Sequence, residues 1–134
     1  MKKLFYLCLV ILFPIVCCAQ QADKAFSFCE QYIIANACLT FAMEYNGNLD
    51  KEHLFLVKVN QAAMNAQNLL SQVKSRMTPK ELTDVTMVLD FLVQRSNANY
   101  FEDDQLPKIV LWQQLTKMKM QQLLSKLLKT SSVK

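Results

Sequence analysis

Apolar residues recur along this chain at alternating spacings of three and four, the pattern of a helix that buries one side. Four segments carry the pattern, and each predicts one helix. The predicted helices run from about Asp23 to Tyr45, from near Asp50 to about Arg76, from Thr78 onward, and from between Asp104 and Pro107 onward. The residues predicted to face the core are Phe28, Tyr32, Ala35, Leu39 and Ala42; Phe55, Val59, Ala62, Ala66, Leu69 and Val73; Leu82, Val85, Leu89 and Leu92; and Ile109, Trp112, Thr116, Met120, Leu123 and Leu127.

The predicted helices have recognisable ends. Asn46-Gly47-Asn48 is a stop signal, Asp50 is the expected N-cap of the second helix, and Thr78-Pro79-Lys80-Glu81 reads as a capping box. The connections are short except Ser96 to Gln105, and short connections place successive helices side by side in opposite directions. The pattern therefore predicts an all-α chain, an antiparallel up-down-up-down four-helix bundle, forming one domain over residues 20–134.

The N-terminus has the composition of an export signal. Basic Met1-Lys2-Lys3 precedes the apolar run Leu4 to Val16 and the small residues that end at Ala19. We predict a signal peptide over residues 1–19, cleaved after Ala19 or Gln20, and a periplasmic or secreted protein. An uncleaved anchor and a lipoprotein modified at Cys18 are the alternatives.

Removal of the signal changes the cysteine and charge counts. Cys29 and Cys38 then remain, and nine helical positions place them about 13 Å apart, beyond disulfide reach. We expect two buried free thiols. The remaining chain has thirteen Lys and Arg against eleven Asp and Glu, whereas Pro107 to Lys134 has six lysines and no acid. A balance near zero does not favour nucleic acid as a partner.

The composition argues against several kinds of chemistry. One glycine cannot build a phosphate-binding loop or a nucleophile elbow, and one histidine cannot complete an HExxH zinc site or a paired ExxH di-iron site. Asp50 and His53 share a helical face, but no matching pair accompanies them, so we interpret His53 as a surface residue. We expect no catalytic residue, metal or cofactor.

Two features are candidates for binding. The long connection combines aromatic and acidic residues, which is typical either of an interface anchor or of a loop whose rings pack on the core. Its candidate residues are Tyr100, Phe101, Glu102, Asp103 and Asp104.

The last helix has a second apolar stripe opposite its core face. It is formed by Leu111, Leu115 and Met118 and edged by Lys119, and either packs on neighbouring helices or receives a partner. The first helix has a similar stripe, for which we expect burial: Ile34, Cys38, Phe41 and Tyr45.

Together these features predict an exported, non-catalytic helical protein that binds another protein in the cell envelope, as an inhibitor or a toxin-immunity protein does. A membrane-surface module is the first alternative, because the last helix is basic and amphipathic. A hydrolase that uses Glu102, Asp103 and Asp104 is the second.

Overall fold

The chain is all-helical over the part that the structure describes. A computed structural model describes residues 24–132, with side chains to residue 129. The predictions of a signal peptide over residues 1–19, of its cleavage after Ala19 or Gln20, of lipid modification at Cys18 and of a helix start at Asp23 lie outside the described residues. The helices are α1 (24–44), α2 (Leu49–Val73), a 3₁₀ turn (Lys74–Arg76), α3 (Pro79–Ser96) and α4 (Leu106–Ser132).

The predicted core positions come together in one hydrophobic cluster. Phe28, Leu39, Leu89 and Leu127 are completely buried, and burial of each such side chain contributes about 1.5–3 kcal/mol. The predicted residues that remain half-buried at the edge of this core are Phe55, Leu69, Leu82, Trp112 and Thr116. The three-and-four pattern therefore identified the inward side of every helix.

Side-chain contacts connect each helix to two others. The pairs are Gln31 with Asn65 and Phe41 with Phe55 between α1 and α2; Asn60 with Ser96 and Gln67 with Asp90 between α2 and α3; Glu81 with Lys126 and Phe91 with Trp112 between α3 and α4; and Asn36 with Gln113 and Cys29 with Leu124 between α1 and α4. All four helices thus surround the same core.

The helix ends confirm one capping prediction and correct another. The Glu81 N–H donates to Thr78 Oγ1 at 3.1 Å, and the Thr78 N–H donates to Glu81 Oε1 at 2.8 Å, which completes the capping box. The N-cap of α2 is Asn48 and not Asp50, because the Asn48 side chain accepts the Lys51 N–H. Gly47 lies just before it with φ +97°, a conformation that glycine adopts at little cost.

The stripe on α1 opposite the core is less buried than expected. Cys38 is buried, but Ile34, Phe41 and Tyr45 are 37–44% exposed. The prediction of burial was wrong for these three. Phe41 and Tyr45 lie at the outer edge of the α1–α2 contact, where both rings pack against Phe55 and remain partly exposed.

Cys29 and Cys38 are buried free thiols, as the sequence predicts. The Cys29 Sγ lies 4.0 Å from the Leu124 carbonyl oxygen, and burial raises the pKa of Cys29 to about 11 from 9.0. Burial also raises the pKa of Cys38.

We expect both thiols to resist alkylation in the native chain. At any pH below the ordinary value, the shift at Cys29 lowers its reactive thiolate fraction about 100-fold, and burial adds a steric barrier. Peptide mass spectrometry after iodoacetamide treatment should show both cysteines modified in urea and unmodified without it. Rapid native labelling of Cys29 would contradict this packing.

Candidate functional site

Neighbouring aromatic residues in the loop between α3 and α4 have opposite environments. Phe101 is 2% exposed and belongs to the core, whereas Tyr100 is 48% exposed. The interpretation in which the rings pack on the core is therefore confirmed for Phe101 and wrong for Tyr100. Phe101 is an internal anchor and not a contact residue, and Tyr100 is the aromatic side chain that remains available to a partner.

A buried carboxylate holds the loop in place. Glu52, in the first turns of α2, is completely buried. Its Oε1 accepts the Phe101 N–H at 3.2 Å, and its Oε2 accepts the Asn46 Nδ2 group at 2.7 Å. Asn46 Nδ2 also donates to the Phe101 carbonyl oxygen at 2.8 Å. These three residues join the α1–α2 turn, the start of α2 and the loop.

This arrangement satisfies polar groups that would otherwise be costly to bury. A carboxylate removed from water needs hydrogen-bond donors, and Glu52 obtains two of them while lying near the N-terminus of α2, where the helix dipole favours negative charge. The Phe101 backbone and the Asn46 side-chain amide likewise have hydrogen-bond partners inside the protein. The position of the loop is therefore coupled to the burial of Glu52.

Further hydrogen bonds hold both ends of the loop. At its start, Asn60 Nδ2 donates to Ser96 Oγ at 3.0 Å and to Asn97 Oδ1 at 3.2 Å. At its end, the Glu102 N–H donates to Gln105 Oε1 at 2.9 Å. The loop is thus fastened at its start, its middle and its end.

The outward side of this region combines apolar and acidic groups. Tyr100 lines a shallow groove of about 360 Å³ with Leu49, Asp50, His53 and Asn99, and Leu49 is 62% exposed. We call these five residues the loop surface. His53 is exposed, as predicted.

The three acids predicted for this loop lie beside the loop surface. Glu102, Asp103 and Asp104 are all exposed, and none of them lines the groove around Tyr100. A hydrogen bond to the Glu102 carboxylate, together with its negative charge, raises the pKa of Tyr100. The phenol therefore stays protonated to higher pH than a free tyrosine, and the acids give this end of the molecule a negative border.

The second apolar stripe of α4 is exposed. Leu111, Leu115 and Met118 are 55%, 67% and 63% exposed, so the interpretation in which they pack on neighbouring helices is wrong. The neighbours α1 and α3 contact α4 along its sides and leave this outer face open. Lys119 lies on the α3 side of α4, with its Nζ 4.0 Å from Asp84 Oδ1.

The predicted binding residues therefore occupy two surfaces. Tyr100 shares its groove with residues of α2, whereas the α4 stripe lies on the outer side of another helix. Leu49, Asn46 and Glu52 were not predicted as site residues. Glu52 lies four positions before Leu56 and seven before Val59, so its register with these buried residues was a signal of burial.

The described residues contain neither a metal-binding cluster nor a membrane-spanning helix. Between residues 24 and 132, no group of three or more His, Cys, Asp or Glu side chains is arranged to hold a metal ion. Over the same residues, no helix has the length and apolar character needed to cross a membrane.

Comparison with known proteins provides no role to transfer to this chain. No family model, curated protein or solved structure matches it.

We expect Glu52→Gln to destabilise the fold. Glutamine offers one acceptor oxygen where the carboxylate offers two, so one of the two N–H donors loses its acceptor and faces an amide N–H₂ group. We predict a loss of about 1–3 kcal/mol in the free energy of unfolding, measured in urea. Glu44→Gln is the matched control, because Glu44 is exposed, and its effect should stay within about 0.5 kcal/mol. Equal effects of the two variants would contradict the buried role of Glu52.

We expect the two aromatic residues of the loop to differ sharply on truncation. Phe101→Ala should lower the free energy of unfolding by about 3–5 kcal/mol because it empties a core position, and Tyr100→Ala should change it by no more than about 0.5 kcal/mol. Thermal and urea unfolding of both variants test this directly. A stable Phe101→Ala protein would show that the loop is not anchored through that ring.

Proposed function

We propose that this chain is a small exported protein that binds another protein in the cell envelope without catalysing a reaction, as an inhibitor or a toxin-immunity protein does. The observation that carries the proposal is the exposed Tyr100 beside exposed Leu49, on a loop fastened from within by Phe101 and Glu52. Export is inferred from residues 1–19 of the sequence.

The loop is ordered before any partner binds, which favours a binding role. A loop that is already ordered loses little conformational entropy when a partner binds, so its contacts contribute more of their free energy to affinity. Tyrosine is a frequent hot-spot residue because it combines a large apolar ring with one polar group. Tyr100 therefore has the properties of an interface anchor.

The charges around Tyr100 favour a partner with a basic surface. Asp50 belongs to the loop surface, and Glu102, Asp103 and Asp104 border it. Acidic groups at the border of an interface accelerate association with a positively charged partner and have less effect on dissociation. We therefore propose a partner that combines an apolar pocket for Tyr100 with surrounding lysines or arginines.

The bundle topology is part of this proposal. We infer that the four helices run up-down-up-down, and the paired residues support this inference: Gln31 with Asn65 and Phe41 with Phe55 follow opposite orders along α1 and α2. The same reversal holds for Asn60 with Ser96 and Gln67 with Asp90. A bundle of this kind is a rigid support for a binding loop.

Affinity capture tests the proposal. The tagged chain is used to retain proteins from envelope and secreted fractions, and the retained proteins are quantified for the parent and for Tyr100→Ala. We expect a specific partner whose recovery falls at least tenfold in Tyr100→Ala. Leu49→Gln should also lower recovery.

Matched variants separate this surface from the rest of the molecule. Leu54→Gln is the control for Leu49→Gln, since Leu54 is 51% exposed on α2 but does not line the groove, and it should leave recovery unchanged. Recovery that is the same for the parent and Tyr100→Ala would refute the assignment of this surface.

A further inference from the structure

Large apolar side chains of α1 and α4 are exposed, and none of them lines the groove around Tyr100. We call this set the α1–α4 face. Its members are 42–67% exposed: Phe26, Ile33, Val110, Leu111, Leu115 and Met118.

These side chains lie on the outer sides of two neighbouring helices. Ile33 of α1 and Val110 of α4 line the same open groove, of about 580 Å³, between the two helices, and polar side chains such as Asn36 and Gln113 also line it. Phe26 lies seven positions before Ile33 and therefore on the same side of α1. Leu111, Leu115 and Met118 form an apolar strip about 10 Å long on the outer side of α4. Both helices thus contribute exposed apolar side chains to this face.

Lysines flank the α4 part of this face, and two of them are paired with acids of α3. Between Leu106 and Ser132, α4 has five lysines and no acidic residue. Lys117 lines the groove beside Ile33 and Val110. On the other edge of α4, Lys119 and Lys126 extend toward Asp84 and Glu81 of α3. The exposed acids of α1 are Glu30, which lies between Phe26 and Ile33 on the same side of the helix, and Glu44, at the opposite end of that helix from Phe26.

We propose that the α1–α4 face docks on an anionic phospholipid surface, with α4 lying parallel to the membrane. An apolar strip bordered by lysines is the arrangement by which amphipathic helices lie in the headgroup region, because the apolar side chains enter the acyl boundary while the lysine ammonium groups remain at the phosphates.

Shape favours a membrane over a protein groove. The outer sides of two helices are convex ridges, and a plane contacts both ridges at the same time, whereas a protein partner would need two matching channels. The acidic residues Glu102, Asp103 and Asp104 precede α4 and do not line the groove between α1 and α4. None of the five residues of the loop surface belongs to the α1–α4 face, so the two surfaces use different side chains.

Vesicle binding of the full chain tests this proposal, using vesicles of phosphatidylethanolamine with phosphatidylglycerol and vesicles of phosphatidylcholine alone. Residues 1–23 are the same in every variant, so differences between variants report on the α1–α4 face. We expect the double variant Leu111→Gln with Leu115→Gln to lower binding to the anionic vesicles at least tenfold. Lys117→Gln should lower it about fivefold. Leu54→Gln, a matched leucine on α2, should leave it unchanged.

A second measurement reports which face touches the lipid, even when residues 1–23 bind the vesicle by themselves. A fluorescent amino acid is placed either at Leu115 or at Gln61, an exposed position of α2, and the vesicles contain brominated lipid. Quenching at position 115 with little at position 61 supports the proposal.

Four outcomes overturn it. Equal quenching at positions 115 and 61, or equal binding to both kinds of vesicle, would contradict docking of this face on anionic lipid. A concentration-dependent change in the fluorescence at position 115 without lipid would assign the face to a second copy of the chain. Protection of the fluorophore at position 115 by an acidic protein, without quenching by lipid, would assign the face to a protein partner.

Discussion

The Glu52 carboxylate is enclosed by protein, and its hydrogen-bond donors come from two other segments of the chain. Within residues 24–132, no lysine or arginine forms an ion pair with it. Burial of an uncompensated acid would cost several kcal/mol, so the fold requires Asn46 and Phe101 to be in place. The turn before α2, the first turns of α2 and the loop before α4 are consequently one unit.

This unit explains why the loop surface has its particular shape. With the Phe101 backbone bound to Glu52 and its ring in the core, the preceding side chain is directed to the outside. Tyr100 is therefore exposed because the adjacent Phe101 is buried. The same constraint does not extend to the outer side of α4, where exposure follows from a different cause: α1 and α3 cover the sides of α4, and the described part of the chain places no further helix over it.

The core was predictable from spacing because burial of an apolar stripe is the strongest physical demand on a helix. Phe28, Leu39 and Leu89 meet this demand because they lie on the inward sides of their helices and are completely buried. The capping box at Thr78 was predictable for a similar reason, since Thr78 and Glu81 lie close together in the chain and their interaction depends only on local geometry.

The two candidate surfaces were predictable only in part. Spacing identified Leu111, Leu115 and Met118 as lying opposite the core, but whether another helix covers them depends on how the helices are arranged. The burial of Glu52 escaped prediction because an acid is ordinarily a surface residue, and its donor Phe101 lies 49 positions away. The N-cap of α2 is Asn48 and not the predicted Asp50, because the backbone turns at Gly47 and the helix begins earlier than predicted.

The separation in sequence between Glu52 and its partners also has a consequence for the order of folding. The contact with Asn46 closes over six positions and can form early, whereas the contact with Phe101 closes over 49. Closing the longer loop costs more chain entropy and depends on prior docking of α2 and α3. During synthesis, a chain that has not yet been extended to residue 101 cannot hold Tyr100 in its exposed position. The exposed position of Tyr100 beside Leu49 is therefore a property of the completed fold, and a nascent or partly unfolded chain does not have it.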